Sequence, residues 1–306
     1  MVYSVQTGDL LRILDAVERS LKQAEVASRV LPEKGDSMHW RLHKALVGDR
    51  LSEALAWIAA QGDSCEVVEG GLRDLPAPQA VDGPALALTT LVDARTLQWG
   101  AIPGVFWSRQ TYEVAHYLSM LPQDLPVLNR EGAFLTVAML EHPPRWFGGK
   151  VFVRPNSGQK SFPGQVLQGA DEKDWRLNWH IWKNTYHLAG DELCWCAPAK
   201  AMPPIEWRVW IVQGQIAAWS PYCWLGDPVP WAPLPEPVAE VAQTLARNSW
   251  QSDLAYVADF AEVDSKAWLL ELNAASTSGL YRVSMQNLMP ALRAAAIAAY
   301  AEVFEG

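Results

Sequence analysis

The sequence predicts an α+β fold. A mainly helical N-terminal segment is expected over residues 1–70, an α/β lead-in region over 71–149, and a strand-rich region over 150–306 that divides near residue 200. Three observations lead there. Leu10, Leu11, Leu14, Val17 and Leu21 recur near the helical period. Strand and helix patterns alternate after residue 84, and two later stretches read as β-hairpins with polar turns between apolar runs. The 306 residues are half apolar and only 19% charged, which excludes a largely disordered chain and supplies a substantial core.

Taken in order, Thr7 is placed to cap a helix from Gly8 to about Gln23, and a second helix is expected over Ser37–Ala60, after the break at Pro32–Asp36. His39 and His43 stand there at the i, i+4 spacing of a helical metal pair. No third ligand accompanies them, so metal binding is not expected. Leu72–Pro84, with three prolines and Gly83, reads as a loop. Ala85–Leu91 and Gly104–Trp107 read as strands, and Tyr112–Leu121 and Gly132–Leu140 as helices. Lys150–Arg154 is an expected strand entering the flexible loop Pro155–Gly164, and Gln165–Leu167 leaves that loop. Asp174–Asn184 puts Trp175, Trp179 and Trp182 on one helical face, a core stripe. Leu193–Lys200 reads as a strand that runs into a linker.

Glu206–Val212 and Gln215–Ser220 make the first hairpin, turning at Gln213-Gly214. Five prolines in Pro228–Pro237 dictate an irregular loop, and Val238–Trp250 follows as a helix. The second hairpin joins Tyr256–Phe260 to Ala267–Leu272 through the turn residues Val263–Lys266. Ser284–Phe304 closes the chain as a helix.

Charge and composition narrow the function. A net charge of -9 argues against a nucleic-acid partner, because phosphate neutralisation needs concentrated Lys and Arg. No signal peptide is visible at the start, and the late apolar stretch Pro290–Phe304 is interrupted by Arg293, so it reads as a packed helix and no membrane partner is expected. Cys194-Trp195-Cys196 lacks a second ligand pair at zinc spacing. Four cysteines without a disulfide pattern suggest a reducing compartment, and a cytoplasmic location is the expectation. Twelve of the sixteen tryptophans lie between Trp146 and Trp268, where they suit core packing or the walls of a site for a planar ligand.

Three segments carry chemistry. Alternation places Glu271 and Asn273 on one strand face, and Asp259 on the partner strand can join them. Two carboxylates and an amide oxygen are hard ligands of the kind that hold Mg²⁺ with a polyphosphate. The same spacing also fits a surface hairpin with solvated acids. Lys160 sits in a loop of small residues that can wrap a phosphate chain with backbone N–H groups and an ammonium. It is not a Walker A loop, because Gln159 separates Gly158 from Lys160, and an ordinary hairpin loop fits the residues as well. Arg208, on a strand of Trp, Val and Ile, needs an anionic partner. An acid such as Glu206 would make it structural; a substrate phosphate would make it catalytic.

The order of these segments is more specific than any one of them. V-F-V-R-P-N-S-G-Q-K-S-F-P-G at 151–164 is followed by E-W-R-V-W-I-V-Q-G-Q at 206–215, Y-V-A-D-F at 256–260 and L-E-L-N-A-A-S-T-S-G-L-Y at 270–281. Over roughly residues 125–285 this resembles the ATP-grasp fold, in which two α+β subdomains close on ATP. It is most similar to a clade common in bacteria and phages and marked by characteristic arginines and a lysine. The resemblance implies that Asp259, Glu271 and Asn273 ligate Mg²⁺, and that Lys160, with Ser161 beside it, lies over the phosphates. It implies that Arg154, or less readily Lys150, contacts a phosphate, and that Arg208 faces the γ-phosphate. It places the backbone of Cys196, Ala197 and Ala199 against adenine, with Lys200 in reach of the nucleotide, and puts Ser276, Ser278 and Tyr281 where a substrate docks.

The activity so implied is an ATP-dependent ligase. It would activate a carboxylate of a small molecule or peptide as an acyl-phosphate and pass it to an amine, or to a thiol, releasing ADP and phosphate. Two alternatives use the same site: a nucleotide-binding module serving another protein, and a kinase-like phosphotransferase. Retention of the full metal set favours the ligase. No G-x-S-x-G elbow competes for these residues. Tyr222, Trp224 and Trp231 fit either surface packing or an aromatic acceptor site, and His180 and His187 fit structural or surface roles.

Overall fold

The computed structural model describes residues 37–70, 83–99, 104–142, 148–223 and 229–304. The helix expected over Gly8–Gln23 lies outside these residues, as do most of the Leu72–Pro84 loop and the start of the proline-rich loop. Three sheets organise the described chain.

The first sheet is parallel, in the order β2–β1–β3, from β1 (His39–His43), β2 (Ser64–Val68) and β3 (Ala85–Leu88). This corrects the helix expected over Ser37–Ala60. His39–His43 is instead a central strand with both faces covered, and such strands lack the alternation that separates strand from helix in a sequence. The helical part is limited to α1 (Lys44–Val47), a 3₁₀ turn at Gly48–Arg50, and α2 (Leu51–Gln61). Because β1 pairs with both β2 and β3, the sheet runs across the division expected near residue 70.

Asp63 fastens this sheet to the C-terminal helix α7 (Met285–Phe304). Its carboxylate accepts from the Met38 N–H and the Trp40 indole, each at 3.0 Å, and from Arg293 at 2.9 and 3.0 Å. Burial alone would raise the Asp63 pKa. The Arg293, Trp40 and Met38 hydrogen bonds outweigh that and lower it. His39 and His43 serve as neighbours of Ser64 and as the cap of α1, through a bond from the Ala45 N–H.

Gly104–Trp107 forms no strand. It lies against β3, with the Ala87 N–H donating to the Gly104 carbonyl, and a Cβ on Gly104 would fall 1.5 Å from the Ala85 oxygen. α3 (Leu91–Trp99) and α4 (Val114–Met120) follow.

The second sheet is antiparallel, in the order β4–β7–β5–β6, from β4 (Ala133–Thr136), β5 (Lys150–Pro155), β6 (Gln165–Gln168) and β7 (Leu193–Pro198). β4 replaces the helix expected over Gly132–Leu140, whose later part is a 3₁₀ turn at Ala138–Glu141. Gly132 is the reason the chain can approach β7 so closely: a Cβ there would meet the Trp195 ring and the Cys196 carbonyl at 2.6 Å. α5 (Glu172–Thr185) covers the sheet with Trp175, Trp179 and Trp182 buried, as the stripe requires. Asp171 caps its first turn by accepting from the Asp174 N–H.

The third sheet is antiparallel, in the order β11–β10–β8–β9, from β8 (Ile205–Val212), β9 (Gln215–Cys223), β10 (Ala255–Val263) and β11 (Lys266–Ala274). Both hairpins therefore form as expected. α6 (Glu236–Ala246) packs on one face, over Trp207, Val209 and Ile211. On the other face Trp210, Val212 and Val257 share a core with α7 and the parallel sheet. α6 starts two residues earlier than expected because Pro235 and Pro237 sit at its N-terminus, where a missing N–H costs nothing. Among the described residues no helix is long and apolar enough to cross a membrane.

Candidate functional site

The register of the third sheet sets Glu271, Asp259 and Arg208 in one row, because Asp259 pairs with Glu271 across β10–β11 and with Arg208 across β10–β8. A register shift just after Asp259 keeps this alignment while the rest of the hairpin slips by one residue. Cross-strand partners share a face, so the three side chains converge. Asn273 joins them from two residues beyond Glu271.

Asp259 is fully buried and accepts three hydrogen bonds: from Arg208 Nε at 2.9 Å, Arg208 Nη2 at 2.8 Å, and Asn273 Nδ2 at 2.7 Å. Asn273 Nδ2 also reaches Glu271 Oε1 at 2.9 Å. Burial would lower the Arg208 pKa, but the adjacent Asp259 raises it well above its ordinary value. The partner of Arg208 is thus an acid, as a buried arginine demands, but it is Asp259 and not Glu206.

β5 and its loop bring the other cations. Arg154 Nη2 lies 2.9 Å from Glu271 Oε2, and Nη1 donates to the Tyr117 hydroxyl at 3.3 Å. Lys160 Nζ donates to Asn273 Oδ1 and lies 3.4 Å from Glu271 Oε1. Burial would push the Glu271 carboxyl up. Lys160, Arg154 and the Asn273 amide outweigh it and hold that carboxyl well below the usual range. Lys160 takes a left-handed backbone with φ +49°, as does Tyr281 with φ +46°. Such backbone is uncommon outside glycine, and here each residue has a contact that holds it.

Tyr281 stacks on Tyr222, with centroids 4.9 Å apart and planes 4° from parallel. The Arg208 guanidinium carbon lies 5.0 Å from the Tyr281 ring centre and 5.1 Å from that of Tyr222. The Tyr222 hydroxyl donates to Glu206. Burial, with Asp259 and Glu271 nearby, pushes the Glu206 carboxyl up to about 7, although the Tyr222 bond and Arg208 favour its ionised form.

A cavity of about 600 Å³ opens beside this network, and Arg154, Lys160, Arg208 and Asn273 are among its lining residues. Ser278 and Tyr281 also line it, whereas Ser276 does not: its Oγ is buried and accepts from the Phe106 N–H at 2.9 Å. The structure therefore gathers Asp259, Glu271, Asn273, Arg154, Lys160 and Arg208. It leaves Lys150 exposed at the opposite end of β5, pairs Lys200 with Glu131 at 2.6 Å, and turns the Ser161 hydroxyl to Glu192. Cys196 and Ala197 are buried within β7 and do not line the cavity.

Two contributions are not legible in the sequence. Residues 45–50, in α1 and the 3₁₀ turn after it, line the cavity, as do Trp107 and Tyr112. The packing of the parallel sheet against α7 delivers residues 45–50, and Trp107 and Tyr112 arrive with the core beneath α6.

The family model for the ATP-grasp domain, R-two-K clade family 3, matches residues 91–292. Solved structures with a similar fold include a RimK domain protein ATP-grasp from Sphaerobacter thermophilus, at 14% identity over 86% of this chain and 98% of that one, with a TM-score of 0.52. The D-cycloserine synthetase DcsG is similar at 13% identity, 86% and 99% coverage, and a TM-score of 0.54. The ATP-grasp ligase PsnB, solved with a phosphomimetic variant of its minimal precursor, Mg and ADP, is similar at 15% identity, 86% and 98% coverage, and a TM-score of 0.50. At such identities the likeness is one of fold. No curated protein matches the sequence.

The ionic network separates structural from dispensable charges. Arg208→Met leaves the Asp259 carboxylate buried without its partner and is expected to destabilise the fold by about 3–5 kcal/mol. Lys160→Met, at a side chain 47% exposed, is expected to cost no more than about 1 kcal/mol. Urea denaturation of both variants checks this, and comparable losses would contradict it. Glu206 gives a pH signature. Its folded pKa lies above the unfolded value, so the native state holds the extra proton between about 4.5 and about 7, and stability falls as pH rises through that window. Glu206→Gln should remove this slope and be more stable than the parent at pH 8, but not at pH 4, in melting curves at both pH values.

Proposed function

The chain belongs to the ATP-grasp proteins of R-two-K clade family 3, and on that premise we propose that it is an ATP-dependent ligase joining a carboxylate to an amine through an acyl-phosphate. The observation that carries this reading is one network of Arg154, Lys160 and Arg208 with Asp259, Glu271 and Asn273, of which the three cations and Asn273 line a cavity. Phosphoryl transfer asks a protein mainly for positioning and charge neutralisation, and these are the groups that supply both.

Asp259, Glu271 and Asn273 would hold Mg²⁺. The donor set is two carboxylates and an amide oxygen, as a hard cation prefers. Glu271 Oε1 and Asn273 Oδ1 already face a cation, the Lys160 ammonium, so the pair has the charge and placement that the proposed ligation needs. Mg²⁺ held there would supply charge neutralisation for the phosphates.

In the proposed reaction a substrate carboxylate oxygen attacks the γ-phosphorus, the bond from that phosphorus to the β–γ bridging oxygen breaks, and ADP leaves with the electron pair. The amine nitrogen then attacks the acyl carbon, the carbon–oxygen bond to phosphate breaks, and the amine gives up a proton. Arg208 is held by Asp259 through Nε and Nη2 and donates from Nη1 to the Gly279 carbonyl at 3.5 Å, and the second N–H of Nη1 is our proposed contact to an anion in the cavity. Arg154 and Lys160 would move from Glu271 and Asn273 to the phosphates as these arrive. The linker through Ala199 and Lys200 is our proposed adenine contact, although Lys200 must then leave Glu131. The nucleophile is an amine in preference to a thiol, and the free cysteines Cys65, Cys194 and Cys196 fit a cytoplasmic protein.

Melting with Mg²⁺ and ADP tests the reading without knowledge of the substrate. At a hundred times its dissociation constant the nucleotide should stabilise the chain by about 2.7 kcal/mol. Glu271→Gln, nearly isosteric, should fold normally and lose the Mg²⁺-dependent part of that gain. A full Mg²⁺-dependent shift in the variant would remove Glu271 from the metal site, and no shift in the parent would sink the ligase reading.

A further inference from the structure

Two buried polar side chains outside the cavity touch the elements that carry its cations. Asn156 follows β5 at the base of the loop that bears Lys160. Its N–H donates to the Leu193 carbonyl at 2.9 Å, and its own carbonyl accepts from the Val114 N–H at 2.9 Å. Its Oδ1 accepts from the Ala115 N–H, also at 2.9 Å. Glu113 gives α4 no side-chain cap, so Asn156 satisfies two of the N–H groups that a helix start leaves open. Two residues on, Gly158 seats on the chain just before α4: a Cβ there would fall 2.9 Å from the Tyr112 Cβ.

The same helix reaches Arg154. Tyr117, one turn in, is buried, and its hydroxyl accepts from Arg154 Nη1 at 3.3 Å while Nη2 faces Glu271. Burial pushes the Tyr117 hydroxyl up, so it stays protonated beside the guanidinium despite that positive charge. On the ligase reading, Glu271 and Asn273 are given over to Mg²⁺, and both cations lose these partners. Among the described residues, Tyr117 is then what still holds the Arg154 guanidinium, and Nη2 turns about a fixed Nη1. Lys160 keeps its place through its backbone, whose N–H donates to the Ser157 carbonyl at 3.2 Å, in a loop that Asn156 fastens to α4.

We infer that α4 is the anchor of the phosphate-binding cations, with Tyr117 holding Arg154, and Asn156 the loop of Lys160, in the positions that receive the nucleotide phosphates. This rests on the ligase reading and adds two residues behind its site. Neither lines the cavity, so both act through the cations they hold and neither touches the reacting atoms. Fixing a long cationic side chain on a phosphate costs rotamer entropy, and an anchor formed before the ligand arrives removes part of that cost.

The test is calorimetric titration of the full chain with Mg²⁺ and a non-hydrolysable ATP analogue. It is run well below the melting temperature, where a variant that is merely less stable reads the parent's dissociation constant. Tyr117→Phe keeps the buried ring and removes only the acceptor of the Arg154 bond. Asn156→Ala removes the Oδ1 bond to Ala115 and keeps the carbonyl that accepts from Val114. Each is expected to weaken binding about fivefold or more, the loss of one hydrogen bond that orients a charged group. The effect belongs to the cation, so in double-mutant cycles Tyr117→Phe should add nothing to Arg154→Met, and Asn156→Ala nothing to Lys160→Met. An unchanged dissociation constant in either single variant, or an undiminished loss in the double variants, would overturn the proposal and leave the ligase reading standing. A parent chain that binds no Mg²⁺ nucleotide would overturn the ligase reading, and this proposal with it.

Discussion

Arg208 and Asp259 face each other across β8 and β10, and two hydrogen bonds of 2.9 and 2.8 Å join them in the interior. Moving either charge out of water costs several kcal/mol, and only a partner with matched geometry offsets that. The forked guanidinium supplies the match, and Asn273 adds a third bond to the same carboxylate. Because these residues sit on the central strands of the third sheet, the pair also fixes where everything around it can stand. Asn273 is oriented by Asp259, Glu271 by Asn273, and Lys160 by both. Tyr222 and Tyr281 close over the remaining face of the guanidinium.

The site is built on paired charge, with one cation in excess. Two carboxylates of the row meet three cations, and each proposed metal ligand already has a positive group or an amide N–H of the protein on it. On the proposed function, nucleotide and metal enter as an exchange of partners. Lys160 and Arg154 would turn to the phosphates, and Glu271 and Asn273, so released, would hold the metal with Asp259. Arg208 differs, since its bonds to Asp259 and to the Gly279 carbonyl leave an N–H available, and it need not move. The exposure of Lys160 at 47%, against 10% for Arg208, agrees with that division between a mobile and a fixed cation. Acidity elsewhere on the chain does not conflict with an anionic ligand, because the local field at the cavity is set by these three cations.

Much of this is legible in the sequence, and the failures have a common cause. Both hairpins, the tryptophan stripe of α5 and the convergence of Glu271, Asn273 and Asp259 follow from period and turn chemistry, which are local. β1 reads as helix because a strand buried on both faces leaves no alternation, and β4 because its pairing depends on Gly132 lying against Trp195, a contact far along the chain. The sequence also leaves the partner of Arg208 open between Glu206 and a phosphate. Only strand register can choose Asp259.

The most direct measurement is a crystal structure of the chain grown with Mg²⁺ and a non-hydrolysable ATP analogue. The account predicts the metal on Asp259, Glu271 and Asn273, the Lys160 ammonium moved from Asn273 to a phosphate oxygen, and Arg208 still paired with Asp259. Lys160 still bound to Asn273 and Glu271, with the nucleotide absent from the cavity or bound elsewhere, would contradict it.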